Sequence, residues 1–398
     1  MSRLWDKGAP LDQKVLEYTA GEDYSLDERL VRHDVRASIA HAQMLRDQKL
    51  LGAADCTALC AALEEIGAEH ARGEWQITLA DEDGQTALEQ RLTAKLGAVG
   101  GRIHLGRSRN DQVLTALRLY LREAIGELDT GAQRVAAALD TLAAREGQIS
   151  LPGYTHMQQA MPSSVALWAG GYASEIRDDA QGIQNVLRRV LKNPLGSAAG
   201  YGAQGLPLDR DATTRALGFE RTHEPVTAVQ LSRGKAEAQL LFEVTLLMQD
   251  LGRLAADLLL FYTQEFAFVA LPENFTTGSS IMPQKRNPDV FELVRGRSAS
   301  AQSCLLEALA IFAKLPSGYQ RDLQLLKFPL FRGIDLALQT LDIMATGITA
   351  LRFCPDRIRL DPSLNAATEA YALVLKEGIP FREAYQRIGA RYTNKEGS

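Results

Sequence analysis

The sequence predicts an all-α protein, with a central bundle of long near-parallel helices flanked by two smaller helical domains. Three observations carry this expectation. Apolar residues recur at steps of three and four over three stretches, each about 30 residues or ~45 Å long as a helix. Caps and breakers stand at the ends of these stretches. No internal repeat, low-complexity tract or Gly-rich nucleotide fingerprint interrupts the pattern. The predicted boundaries fall at residues 1–110, 111–352 and 353–398.

The first domain reads as helices joined by loops. Residues 27–51 carry Leu30, Val35, Ile39 and Met44 at helical spacing, and Leu51-Gly52 ends that run. Residues 53–70 repeat the pattern with Leu59, Leu63 and Ile66. An acidic loop, Asp81-Glu82-Asp83-Gly84-Gln85-Thr86, opens a further helix to Leu96. The first long helix carries Leu114, Leu117, Leu121, Ala124, Leu128, Val135 and Leu142. The second steps through Ala169, Ala173, Ile176, Ala180, Ile183, Leu187 and Val190, with Ser163 or Ser164 as cap and Asn193-Pro194 as stop. The third carries Leu240, Val244, Leu247, Leu251, Leu254, Leu258 and Phe261. A 3.5-residue repeat kept this long implies packing at shallow crossing angles. Leu241, Met248, Ala255 and Leu259 lie beside the third seam and imply a second buried face. That face is either a subunit interface or the far side of a thicker single-chain core. Further helices are expected over 289–313 and about 330–351, followed by a small helical tail after Phe353-Cys354-Pro355.

Composition narrows the class. With 398 residues, 46% hydrophobic and 23% charged, the chain is that of a soluble globular protein. A net charge of −5 gives nucleic acid binding no electrostatic support. The start, Met1-Ser2-Arg3-Leu4-Trp5-Asp6, has no apolar leader, and no stretch reaches membrane-spanning length. Cys56 and Cys60 are four apart on one helix, but no His or second Cys pair completes a metal set. Together with Cys304 and Cys354 they read as reduced thiols of a cytoplasmic protein.

Four polar loops hold the residues with chemical potential. Gly278-Ser279-Ser280-Ile281-Met282-Pro283-Gln284-Lys285-Arg286-Asn287-Pro288-Asp289 combines hydroxyls, cations and helix breakers. Gly278 opens φ > 0 and Pro283 excludes a through-running helix. Asn287 is expected as an N-cap, Pro288 as the first helical residue and Asp289 as a first-turn carboxylate. Such a loop is either a solvated surface loop or one that closes over an anion. Residues 100–112 place Arg102, Arg107 and Arg109 beside Ser108 and Asn110 just before a helix, which makes an anion site or a basic turn. Residues 151–162 hold His156 between Thr155 and Met157 in a Pro-bounded loop. His33, His41, His70, His104 and His223 make no metal-binding spacing. Residues 315–327 form a polar loop with Tyr319, Gln324 and Lys327.

These four stretches, in this order, resemble the signature segments of the fumarase, aspartase and argininosuccinate lyase superfamily. The Gln284-Lys285-Arg286-Asn287-Pro288-Asp289 ending and the Gly106-Arg107-Ser108-Arg109-Asn110-Asp111-Gln112 run are most similar to the argininosuccinate lyase branch. The resemblance implies elimination of argininosuccinate to arginine and fumarate, the last step of arginine biosynthesis, with no metal or organic cofactor. It casts Ser279 as the base, His156 as the acid and Glu292 as the group that orients His156. Ser108, Arg109, Asn110, Thr155, Ser280, Lys285, Asn287, Tyr319, Gln324 and Lys327 become substrate-binding residues. It further implies a homotetramer whose sites draw on three subunits. Two departures stand out. Gln85 occupies a place where the family often has His, and Tyr18-Thr19-Ala20-Gly21-Glu22-Asp23 lies where the family commonly has Ser. The chain also stops several tens of residues before the family usually does. Other readings are another fumarate-releasing member (adenylosuccinate lyase, aspartase, fumarase) or a non-catalytic protein like δ-crystallin. Retention of His156, Ser279 and Lys285 together argues against the last.

Overall fold

The computed structural model describes residues 12–393, so the start considered above, Met1–Asp6, lies outside the described residues. Helices of eight or more residues are α1 (Gln13–Ala20), α2 (Val31–Asp47), α3 (Ala53–Ala71), α4 (Gly84–Leu96), α5 (Arg109–Glu146), α6 (Val165–Asn185), α7 (Arg210–Leu217), α8 (Lys235–Tyr262), α9 (Asp289–Phe312), α10 (Lys327–Ala350), α11 (Ala366–Glu377) and α12 (Phe381–Thr393). The chain is all-α apart from a few short strands, the longest being β1 (Ser150–Thr155) and β2 (Gln158–Ser164). No helix among the described residues is long and apolar enough to cross a membrane.

The chain divides into two compact units. One comprises the described residues through Asp129, with Gln181–Thr245 and Ser300–Ala337. The other comprises Thr130–Ala180, Leu246–Ala299 and the described residues from Leu338 onward. In the first unit, α2, α3 and α4 bury Leu45, Leu59, Leu63, Ile66 and Leu92 around Ile103. Trp75 closes this core, donating its indole N–H to the Ile66 carbonyl at 3.0 Å. Also in this unit, Gly333 of α10 approaches α8 so closely that a Cβ there would lie 2.4 Å from Leu241. In the second unit, the rings of Trp168 on α6 and Phe261 on α8 meet tilted at 5.7 Å, and Trp168 meets Phe353 edge-on at the same distance. Asp257 accepts from both the Trp168 indole (3.0 Å) and the Tyr172 hydroxyl (2.9 Å). α11 and α12 pack through Ala370, Ala384 and Ile388.

The apolar seams are buried as their spacing requires, apart from half-buried Leu187. The question of the second face on α8 resolves in part: Leu241, Met248 and Ala255 are fully buried within the single chain, and Leu259 is half-buried. Phe242 and Leu246 on the same helix are 49% and 39% exposed, so an apolar stripe is still left in water.

Three local expectations are corrected. The Pro-bounded segment 151–162 is a hairpin rather than a loop. Its prolines face each other in register, Pro152 against Pro162, so neither deprives a neighbour of a ladder donor. The second long helix ends at Asn185 and gives way to a separate turn, Leu187–Val190. Helix α9 starts at Asp289 with Pro288 preceding it, since the amides of Phe291 and Glu292 bond the Pro288 carbonyl. Asn287 is therefore one residue outside the cap position.

Helix α8 begins at a backbone constraint in the first unit. Gly234 has φ +84, and a Cβ there would lie 2.4–3.0 Å from Cδ1, Cγ and Cβ of Phe312. The ring root cannot swing away as a side-chain tip could. Gly234→Ala should lower stability by about 2 kcal/mol or more through strain and overpacking. Urea unfolding measures this, and an unchanged midpoint would show that the turn accommodates a side chain.

Candidate active site

In the second unit, the hairpin and the 278–289 loop carry most of the residues of interest. His156 and Met157 form the hairpin tip, both in the left-handed region at φ 54 and φ 61. Non-glycine residues adopt that region at a cost, and such strain gathers at functional turns. Thr155, His156, Met157 and Gln158 are all exposed.

The 278–289 loop is closed at its neck by a two-way backbone pair. Thr277 N–H donates to the Asn287 carbonyl at 3.0 Å, and Asn287 N–H to the Thr277 carbonyl at 2.8 Å. The Asn287 amide also donates to the Gly278 carbonyl at 3.2 Å, so this side chain braces the loop rather than caps α9. Gly278 does not use a positive φ. Within the loop, Ser279 Oγ accepts from the backbone N–H groups of Ile281 (3.4 Å) and Met282 (3.3 Å). Two donors aimed at a hydroxyl oxygen favour its ionised form. Ser280 and Lys285 are exposed, and Ile281 at the tip is 83% exposed. Glu292 is exposed one turn into α9. No hydrogen bond or ion pair joins Ser279, His156 and Glu292 among the described residues.

In the first unit the corresponding groups are half-buried, Lys327 fully so, and most of them are engaged with neighbours. Ser108 starts α5 by a reciprocal cap: its N–H donates to Asp111 Oδ1 at 2.9 Å, and its Oγ accepts from Asn110 N–H at 3.4 Å. Asp111 is fully buried, and its Oδ2 accepts from Gly196 N–H (2.9 Å) and Ala198 N–H (2.7 Å). Arg109 pairs with Asp83 at 2.7 Å and Glu82 at 3.4 Å on the acidic loop. Of the Ser108-Arg109-Asn110 run, only Asn110 presents an unengaged side chain. Gln85 turns inward and donates to buried Asp34 at 3.2 Å.

Lys327, at the start of α10, is 1% exposed and lies between Asp27 (2.5 Å) and Asp23 (3.0 Å). Burial works against its charge, but the two carboxylates more than offset that and hold the ammonium above its ordinary range. Gln324 donates to the Tyr319 hydroxyl at 3.2 Å, and the buried Arg233 guanidinium lies 5.7 Å from the Tyr319 ring centre. A cavity of about 460 Å³ opens beside them, lined by Tyr18, Gly21, Asp23, Arg321, Gln324 and Phe328. Sequence reasoning did not single out Asp27 or Arg233. The four-residue spacing of Asp23 and Asp27 beside an apolar run was an available signal for the first.

The six histidines separate clearly. Burial, with neighbouring cations, lowers the pKa of His33, His41 and His223 to about 3, so these three are neutral. His70 and His104 pair with Glu28 (2.5 Å) and Glu89 (3.1 Å). His156 alone, among the described residues, has neither a hydrogen-bond nor an ion-pair partner.

Two consequences are measurable. Removing the ammonium in Lys327→Met leaves two buried carboxylates unpaired, which should destabilise the protein by about 3–5 kcal/mol. A thermal midpoint equal to the wild type would contradict the buried pairing. The second concerns pH. The three neutral histidines have depressed folded-state values, so their stabilisation is present above pH 6.5 and is lost as pH falls toward 3. Burial raises Asp34 and Asp111 to about 6, an opposing contribution that is full below pH 3.8 and is lost as pH rises through 6. Burial raises Asp27, Glu237 and Glu243 as well, so the whole-protein slope mixes both signs and each histidine is read through its own substitution. The urea midpoint of His41→Gln should fall less, or rise more, between pH 7.5 and pH 5 than that of the wild type, and an identical pH response would refute the neutral form of His41.

Known proteins resemble this chain along its whole length. A family model described as lyase matches residues 15–302. A protein of Sorangium cellulosum named argininosuccinate lyase is 46% identical over 390 residues, covering 98% of this chain and 90% of that protein. One of Xylella fastidiosa with the same name is 42% identical, covering 96% and 86%. Among solved structures, EDDS lyase in complex with formate superposes with a TM-score of 0.81 at 22% identity, covering 98% of this chain and 78% of that one. Class II fumarase from Schistosoma mansoni superposes at 0.78 with 17% identity, covering 96% and 93%. At such identities the structures establish a shared fold, while the sequence matches establish kinship: this chain belongs to the argininosuccinate lyase family.

Proposed function

We propose that this protein cleaves argininosuccinate to arginine and fumarate in the cytoplasm, as a homotetramer with shared active sites. The near full-length likeness to proteins of that name carries the substrate assignment. The reaction removes a weakly acidic carbon-bound proton and then breaks the neighbouring C–N bond. Ser279 takes the proton, its developing alkoxide supported by the Ile281 and Met282 N–H groups. The electron pair left on carbon delocalises into the adjacent carboxylate, where Lys285 and Asn287 stabilise the added charge. As the C–N pair collapses onto the leaving guanidino nitrogen, His156, oriented by Glu292, delivers a proton there. Thr155 and Ser280 hold a substrate carboxylate from the hairpin and the loop. Ser108, Arg109 and Asn110 hold one at the start of α5, where helix N–H groups favour an anion. Tyr319, Gln324 and Lys327 recognise the arginine end.

Two features of the single chain support the assembly part of this reading. The proposed acid, its orienting carboxylate and the lysine are all exposed in the single chain, where water weakens every electrostatic effect they exert. Large apolar residues also stand in water on the long helices: Leu167 at 69%, Leu293 at 60% and Leu306 at 59%. Such faces are what subunit contacts cover.

Fumarate absorbance tests the substrate directly, with argininosuccinate, adenylosuccinate, aspartate and malate offered in turn. Only the first should give turnover. Ser279→Ala should reduce kcat by about a hundredfold or more while leaving substrate affinity near wild type. For shared sites, two inactive variants, Ser279→Ala and His156→Asn, are refolded together. Hybrids should regain part of the activity, because some sites then receive both residues intact. Verified hybrids without activity would mean that each chain supplies its own pair.

A further inference from the structure

His156 sits at the end of an exposed hairpin, so something must fix where the imidazole goes. The hairpin base is held where Val165 N–H meets the Ile149 carbonyl at 3.0 Å. Near the tip, Tyr154 and Gln159 form one cross-strand pair, two positions from His156 on the Tyr154 side. Directly paired residues share a face, so both side chains project to the same side of the ribbon. The Gln159 amide then grips a second segment at both ends: Nε2 donates to the Arg359 carbonyl at 3.1 Å, and Oε1 accepts from Asp361 N–H at 2.9 Å. In effect one side chain serves as a strand neighbour for residues 359–361.

That segment is itself fixed. Asp361 caps the turn Pro362–Asn365, accepting from Ser363 N–H at 2.7 Å, and the turn runs directly into α11. Beside the clamp lies a cavity of about 550 Å³ bordered by Gln159, Phe268 and Arg357, with the Tyr154 ring 6.4 Å from that of Phe266. Residues 155–158 are exposed, and among the described residues the amide clamp is the last side-chain hydrogen bond from the hairpin to another segment before the tip.

We propose that Gln159 is a positioning residue for His156, registering the hairpin tip against the 359–361 segment. The inference rests on the reading of His156 as the acid. A tip free to move by about 1 Å costs rate rather than binding, because proton delivery depends steeply on geometry.

The test compares Gln159→Ala, Gln159→Glu and His156→Asn as full chains, with argininosuccinate as substrate. Gln159→Ala should lower kcat by about tenfold with KM within about twofold and no loss of thermal midpoint. Gln159→Glu keeps the acceptor for Asp361 N–H and loses the donor to the Arg359 carbonyl, so its kcat should lie between the two. Amide exchange over residues 154–158 should quicken in Gln159→Ala and less so in Gln159→Glu. If Gln159→Ala keeps wild-type kcat while His156→Asn is inactive, the positioning role is wrong and the acid assignment stands. If kcat falls only together with the thermal midpoint, Gln159 is a packing residue and the inference fails. An active His156→Asn removes the acid assignment and this inference with it. Should Gln159→Ala not fold, Gln159→Glu with its exchange pattern decides the same question.

Discussion

A buried ammonium must be paired, and in the first unit the pairing at Lys327 dictates what can stand around it. Asp27 is fully buried and Asp23 nearly so, and both point at one Nζ. Neither carboxylate could be kept there without the lysine, nor the lysine without them. The contact joins residues some 300 positions apart in the chain and thereby ties the N-terminal segment to the start of α10. The contact stands beside the cavity edged by Gly21 and Gln324, whose wall carries Asp23 and Arg321 together.

The two units treat charge in opposite ways. At the start of α5, polar groups are partly or wholly withdrawn from water and pair with one another: Ser108 with Asp111, Arg109 with Asp83, Gln85 with Asp34. In the hairpin and the 278–289 loop, His156, Lys285 and Glu292 stay in water and unshared. Paired buried groups give a rigid frame whose geometry is set before any ligand arrives. Unshared exposed groups keep their hydrogen-bonding capacity for something not yet bound, and gain strength only when water is excluded.

How far the sequence disclosed this depends on the kind of signal. Helical seams such as Leu240–Phe261 were legible because burial at a 3.6-residue period leaves a local imprint. The hairpin was not, because Pro152, Gly153 and Pro162 speak against strands, and only the register that sets one proline against the other removes the conflict. The end of the second long helix at Asn185 likewise went unread, since the apolar pattern continues through the following turn to Val190. Candidate residues were legible as types in loops, but not their engagements. Nothing local to Lys327 reports that Asp23 and Asp27 lie against it, because a contact over such a separation is a product of the fold. The resemblance to a family supplied roles where local chemistry supplied only possibilities.

The placement of strain follows from the same division. Two adjacent left-handed residues at the hairpin tip cost non-glycine residues energy, which the strand pairing on either side of a two-residue turn imposes. They persist where the flanking strands are held, and the ladder together with the Gln159 amide does the holding. The 278–289 loop is held in the analogous way at its neck, by Thr277 and Asn287, while its tip carries Ile281 into water. Both segments thus pair a fixed root with an exposed end. That combination lets the frame specify where a reactive group starts, while leaving its final environment to whatever covers it. An isolated chain therefore presents the reagents of the proposed elimination without the dry surroundings that make them effective, and supplying those surroundings falls to the proposed assembly.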